Sequence, residues 1–189
     1  MASTNLALKE WAVITRALDR GDQLMILRKG GIREQKKRFV LEGGQFLLYP
    51  TYEHQRQDLL KPQYQQELEE SLAGHEDNGT VTISNLARVE EMLEITEPEK
   101  VDALSPFYIC TNEYAHYRLN WRPKKPLSVL LLRVLRLPEP KTLPVLPRYG
   151  GCVSWVELEE ALDASNAVPV LEDSQFRARI EEIHKAITD

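Results

Sequence analysis

The sequence predicts a mixed α+β domain: a mainly antiparallel sheet or partly closed barrel with inserted helices and a C-terminal helix. Three observations lead there. Apolar runs rich in β-branched residues cluster in the first fifty positions and again at 126–137. Segments of helical composition and period lie between and after them, at Gln63 to Leu72, Thr111 to Trp121 and Ser174 to Ile187. The regular strand–helix alternation of a parallel sheet is missing, as are the Gly-rich dinucleotide and P-loop fingerprints.

The elements follow in order. Glu10 to Leu18 is apolar with β-branched residues, Asp19-Arg20-Gly21-Asp22 is a turn signal, and Gln23 to Arg28 is apolar again. Two such runs around a glycine-containing turn predict a β-hairpin. Lys29 to Arg38, with Gly30 and Gly31, reads as a basic loop. Phe46 to Tyr49 predicts a short buried strand stopped by Pro50, and Thr51 a cap for a helix toward Leu60. Gln63 to Leu72 predicts a helix, Val81 and Ile83 a strand start, and Pro98 to Leu104 a short helix. Tyr114, Tyr117 and Trp121 form an aromatic stripe at helical spacing. Pro126 to Leu137 is the clearest strand. Prolines 138, 140, 144 and 147 predict an extended loop to Tyr149, followed by Gly150-Gly151 and a short strand near Cys152 to Val156. Phe176, Ile180, Ile183 and Ile187 share one face of the final helix, at about 174–187.

One domain spanning 1–189 is expected, with an acidic helical insertion at about 52–104. A chain of this length buries roughly 70% of its unfolded surface and needs no staples. The two cysteines, Cys110 and Cys152, are expected as free thiols, because Met1 to Glu10 lacks the pattern of a secretory signal and the cytoplasm is then the expected compartment. The apolar run at 127–137 is broken by Arg133 and Arg136 and falls short of the roughly 20 residues of a membrane helix, so no membrane partner is expected.

Charge is unevenly laid out in a chain of net charge −5. Arg28, Lys29, Arg33, Lys36, Lys37 and Arg38 face one acid, Glu34; Arg118, Arg122, Lys124, Lys125, Arg133, Arg136, Lys141 and Arg148 face one acid, Glu139. Positions 53–102 hold thirteen acids against four bases. If the two basic segments meet, they form a phosphate-attracting groove, with backbone N–H groups open at Gly30, Gly31, Gly150 and Gly151 and aromatic rings for stacking. The candidate nucleic-acid contacts are Arg28, Lys29, Gly30, Gly31, Arg33, Arg118, Arg122, Lys124, Lys125 and Tyr149. The bland alternative is internal pairing of these arginines with the acidic middle of the chain.

Three groups of residues have catalytic composition. Glu139-Pro140-Lys141, with Asp102 or Glu113, has the composition of a metal-dependent nuclease site, but Glu-x-Lys is common and prolines flank it. Glu53-His54 and Glu113-x-x-His116 put carboxylates near imidazoles without a closely spaced metal-ligand set. Cys152 follows two glycines, but no triad signature accompanies it. Neither a cofactor nor a metal is expected.

Four strings are more specific: LRKGGI at 27–32, FLLYPTYEHQ at 46–55, WRPKKPL at 121–127 and YGGCVSWV at 149–156. On these the chain resembles, over nearly its whole length, a bacterial, largely cyanobacterial, family catalogued as domain of unknown function 1802. The resemblance implies an accessory module of DNA restriction or modification, since relatives occur fused to restriction-endonuclease-like domains. It carries over no catalytic residue. The leading expectation is a nucleic-acid-binding accessory domain for DNA or RNA. A metal-dependent nuclease and a protein-interaction module are the alternatives.

Overall fold

The computed structural model describes residues 3–29, 44–75, 78–121, 124–151 and 153–188. Strand β1 (Thr4–Trp11) runs straight into helix α1 (Ala12–Arg20), and β2 (Met25–Arg28) follows. The expected hairpin over Glu10 to Arg28 is therefore a strand–helix–strand unit. Val13, Ile14, Ala17 and Leu18 are all buried and recur at spacings of three and four, which is a helical stripe and not the alternation of a strand. The turn signal at 19–22 is the helix stop. Gly21 adopts φ 75° as the C-cap, and the Gly21 and Asp22 N–H groups close on the Leu18 and Ala17 carbonyls.

Strand β3 (Gln45–Thr51) passes through Pro50 rather than ending before it. Thr51 closes this strand and caps no helix; its hydroxyl donates to the Glu10 carbonyl across the parallel β1–β3 pair. Helix α2 (Pro62–Ala73), helix α3 (Pro98–Ala103) and helix α4 (Asn112–Asn120) sit where their patterns place them. The Thr111 hydroxyl caps α4 by accepting from the Tyr114 N–H. Between α2 and α3 lies β4 (Thr80–Ile95), and after α4 comes β5 (Leu127–Pro144), two long strands forming an antiparallel spine. The expected proline loop is thus mostly strand. Pro138 and Pro140 fall at the register shift opposite Ile83 and Asn85, where the ladder is already interrupted. Then come β6 (Trp155–Leu162), the short β7 (Val168–Pro169) and α5 (Asp173–Thr188).

The sheet order is β2-β5-β4-β3-β1-β6, with β7 on β5. Only β1 and β3 run parallel among the described pairs. One face packs Leu8, Phe46, Leu48 and Leu130 in a cluster with α1, α4 and Ile183 of α5. The other packs Ala7, Leu47, Tyr49, Ile83 and Val156 in a smaller cluster. Helix α5 is tied down by the Arg133–Asp173 ion pair, by Arg133 over the Phe176 ring at 4.5 Å, and by His184 Nε2 to Glu91 Oε2 at 2.6 Å.

No ladder joins β2 to β1, so the sheet is open, yet it curls until the two strands face each other. Arg28 of β2 spans the gap. Its guanidinium donates to the Lys9 carbonyl at 2.6 Å and pairs with Glu10 Oε2 at 3.1 Å. No described helix is long and apolar enough to cross a membrane.

Gly21 gives a test of the corrected α1 boundary. A Cβ there would lie 2.7 Å from Leu171 Cδ2 on a backbone at φ +75°. Gly21→Ala is expected to lower unfolding free energy by roughly 1–2 kcal/mol, since the left-handed backbone disfavours alanine. Urea denaturation measures it, and an unshifted midpoint would contradict this cap.

Candidate functional site

Side chains alternate along β1, so Glu10 and Lys9 point to opposite faces of the sheet. Two polar regions result, one on each side.

Glu10 anchors the first. It is 4% exposed, accepts the Trp11 N–H at 2.8 Å and holds Arg28, which is 9% exposed. Helix α4 supplies the neighbouring wall. Tyr114 packs on Trp11 with ring centroids 5.4 Å apart, and Arg118 lies over the Tyr114 ring at 4.6 Å. Burial pushes the Tyr114 phenol and the Cys110 thiol well above their ordinary ranges. Lys29 is 3% exposed and is clamped on the carbonyls of Leu119, at 2.6 Å, and Lys125. Desolvation pushes its ammonium down. The Nε atoms of Arg28 and Arg118 are buried without a hydrogen-bond partner. This region is structural.

The second region is open. A groove of about 430 Å³ runs across the end of the sheet, between the tails of β1 and β3, the start of β4 and the 3₁₀ turn Pro147–Tyr149. Aromatic rings form its walls. Tyr52 stacks on His75 with centroids 3.6 Å apart and planes 4° from parallel, and Tyr49 meets Tyr149 edge-on at 6.3 Å. Burial raises the Tyr49 phenol, while the Tyr149 hydroxyl accepts the Glu159 N–H at 3.0 Å. The groove's cation is Lys9, whose ammonium donates to the carbonyls of Tyr149 at 2.8 Å and Gly151 at 3.1 Å. An ammonium has three N–H donors, so one remains for a ligand. Next to Tyr52, His54 sits at φ 61°, a backbone conformation uncommon for a non-glycine residue.

The candidate contacts named from the sequence do not assemble into one phosphate groove. Arg28 and Lys29, expected at the surface or at loop edges, are buried: Arg28 reaches the Lys9 carbonyl across the curled sheet, and Lys29 holds the Leu119 and Lys125 carbonyls between α4 and the start of β5. Gly30, Gly31, Arg33, Arg122 and Cys152 lie outside the described residues. Arg118 is half-buried on Tyr114, whereas Lys124 and Lys125 are exposed. Tyr149 lines the open groove, beside the exposed Gly150. Four of the eight bases of the second segment pair with carboxylates: Arg133 with Asp173, Arg136 with Asp19, Arg148 with Glu159 and Lys141 with Glu139. Tyr114 of the aromatic stripe is core, and Tyr117 and Trp121 are exposed. Asp102 pairs with His116 at 2.7 Å and with Asn112, away from Glu139, and no three His, Cys, Asp or Glu side chains gather among the described residues. Lys9, Tyr49, Tyr52 and His75 were missed from the sequence. Their one visible signal was the clustering of Tyr49 and Tyr52 around Pro50.

The four sequence strings also meet in pairs. Lys29 of the first grips the Lys125 carbonyl of the third, while Phe46 and Tyr49 of the second pack edge-on against Trp155 and Tyr149 of the fourth. The sequence profile of the domain of unknown function DUF1802 matches residues 7–182. The chain belongs to the DUF1802 family. No curated protein matches this DUF1802 member. Among solved structures, a crystal structure of a mutant ZmASCH protein from Zymomonas mobilis matches at 8% identity and a TM-score of 0.45, covering 96% of this chain and 98% of that one.

Cys110 provides a test of the buried region. Its thiol is 2% exposed and held protonated by burial. The native protein at neutral pH is expected to leave Cys110 unalkylated by iodoacetamide and the denatured protein to expose it, as read by peptide mass spectrometry. Rapid native modification would contradict the packing of α4 on β1.

Proposed function

We propose that this DUF1802 member is a non-catalytic module that binds single-stranded nucleic acid through unpaired bases in the groove across the end of its sheet. The observation that carries this reading is the groove itself. At about 430 Å³ it falls within the usual range of ligand sites, its walls are Tyr49, Tyr149 and the parallel Tyr52–His75 pair, and Lys9 keeps a donor free inside it. Stacking on aromatic rings suits any base and contributes about 1–3 kcal/mol each.

The charge pattern supports bases over backbone. A protein that grips duplex phosphates needs unpaired surface arginine and lysine. Here Arg133, Arg136 and Arg148 are committed to carboxylates and Arg28 is buried. In the setting that the family resemblance implies, beside enzymes of DNA restriction or modification, the strand is DNA that has been unpaired.

Fluorescence anisotropy with labelled oligonucleotides of about ten nucleotides, a length within the usual single-strand site sizes, tests this. Single strands are expected to bind better than the matched duplex. Tyr52→Ala is expected to weaken single-strand binding by about 5- to 100-fold, the equivalent of one lost stacking contact. Absence of binding at low salt, or unchanged affinity in a folded Tyr52→Ala variant, overturns the reading and leaves a protein-interaction module as the alternative.

A further inference from the structure

A second cavity of about 220 Å³ adjoins the groove. The two share Pro50 and Tyr52, so this short stretch at the end of β3 is a ridge with a hollow on either side. The chemistry of the two hollows differs. The larger has ring walls. The smaller is bounded by one face of α1, through Ala12, Thr15, Arg16 and Asp19, and by Thr82, Ser84 and Asn85 of β4.

The groups in the smaller hollow divide into those already engaged and those left over. The Thr15 hydroxyl donates to the Ala12 carbonyl at 2.8 Å, and Asn85 Nδ2 donates to Asp19 Oδ1 at 2.7 Å. Asp19 also takes Arg136, so its charge is balanced within the protein. Arg16 remains. It is exposed on α1, and no carboxylate among the described residues pairs with it. Across the ridge, Lys9 likewise meets carbonyls and no carboxylate. The ridge is thus flanked in each hollow by one cation that pairs directly with no carboxylate among the described residues, with Glu53 also lining the larger hollow.

We propose that the smaller hollow is a second subsite for the same strand, so that the recognised unit is at least a dinucleotide astride Pro50–Tyr52, with Arg16 contacting a phosphodiester. The inference rests on the reading of the larger groove as a base site. The division of labour follows from the linings. A base enters the ring-walled side, and the neighbouring sugar and phosphate meet the hydroxyl and guanidinium groups of the other. A guanidinium suits a phosphate because its planar fork of N–H donors matches two phosphate oxygens.

Isothermal titration with a mononucleotide, a dinucleotide and a tetranucleotide, each as ribo- and deoxyribo- forms, tests the subsite in the full chain, with Arg16→Ala alongside. Affinity is expected to rise at least tenfold from mono- to dinucleotide and much less from there to tetranucleotide. Arg16→Ala is expected to remove most of that first step and to reduce the slope of log affinity against log salt by about 0.7, the value for one phosphate contact on a single strand. Arg16 is exposed, and an unchanged melting temperature confirms that the variant is folded. A dinucleotide no tighter than a mononucleotide, or an Arg16→Ala variant that binds the dinucleotide as the parent does, overturns the second subsite and leaves the base site standing. Failure of every oligonucleotide to bind overturns both. The ribo- and deoxyribo- arms separate RNA from DNA as the source of the same backbone chemistry.

Discussion

The Arg28–Glu10 bridge is the contact on which the shape of the molecule depends. The two residues sit on strands that three other strands separate in the sheet, and no ladder bonds join them. A buried ion pair is costly to desolvate, and breaking one by removing a partner leaves a charge stranded in the interior. Here the pair is supported on both sides. Arg28 also takes the Lys9 carbonyl, and the Glu10 carbonyl takes the Thr51 hydroxyl. One arginine therefore fixes the end of β1 from within, and the adjacent residue, Lys9, is held facing the opposite side, where the open groove lies. Curling of the sheet and placement of the groove cation are two consequences of the same alternation along one strand.

The second constraint is how charge is distributed in three dimensions. Along the sequence the bases and acids look segregated, and that segregation suggests a phosphate-binding groove. In the folded chain the distant acids return to the arginines: Asp19 to Arg136, Asp173 to Arg133, Glu159 to Arg148. Lys9 and Arg16, on either side of one ridge, are among the cations that pair with no carboxylate among the described residues. This is why the groove is read through its rings and its few free donors, and not through a field of positive charge.

Much of the scaffold was legible because its signals are local. The apolar run from Leu127, the helical stripe with Thr111 at its head and the four isoleucine and phenylalanine positions of α5 each fit one element and occupy it. The first thirty residues misled because β-branched Val13, Ile14 and Thr15 suit strands by propensity, whereas burial of Val13, Ile14, Ala17 and Leu18 on one stripe made them helix. Thr51 misled because the hydroxyl that suits a helix cap serves here to lock two parallel strands. The groove was illegible for a different reason. Its lining comes from β1, the tail of β3, His75 just beyond α2, the start of β4 and the turn at 147–149, and only the fold brings these together. Of the groups expected from the sequence, Tyr149 and Gly150 line it.

A double-mutant cycle on the bridge measures the central constraint directly. Glu10→Gln, Arg28→Met and the double variant are compared by urea unfolding. Each single change is expected to cost about 3–5 kcal/mol, because it strands its partner in the interior. The double variant is expected to cost less than the sum of the two by about 2 kcal/mol or more, because neither charge is then left alone. Additivity within about 0.5 kcal/mol would mean that the two residues act independently, and that the curl of this sheet is held by something else.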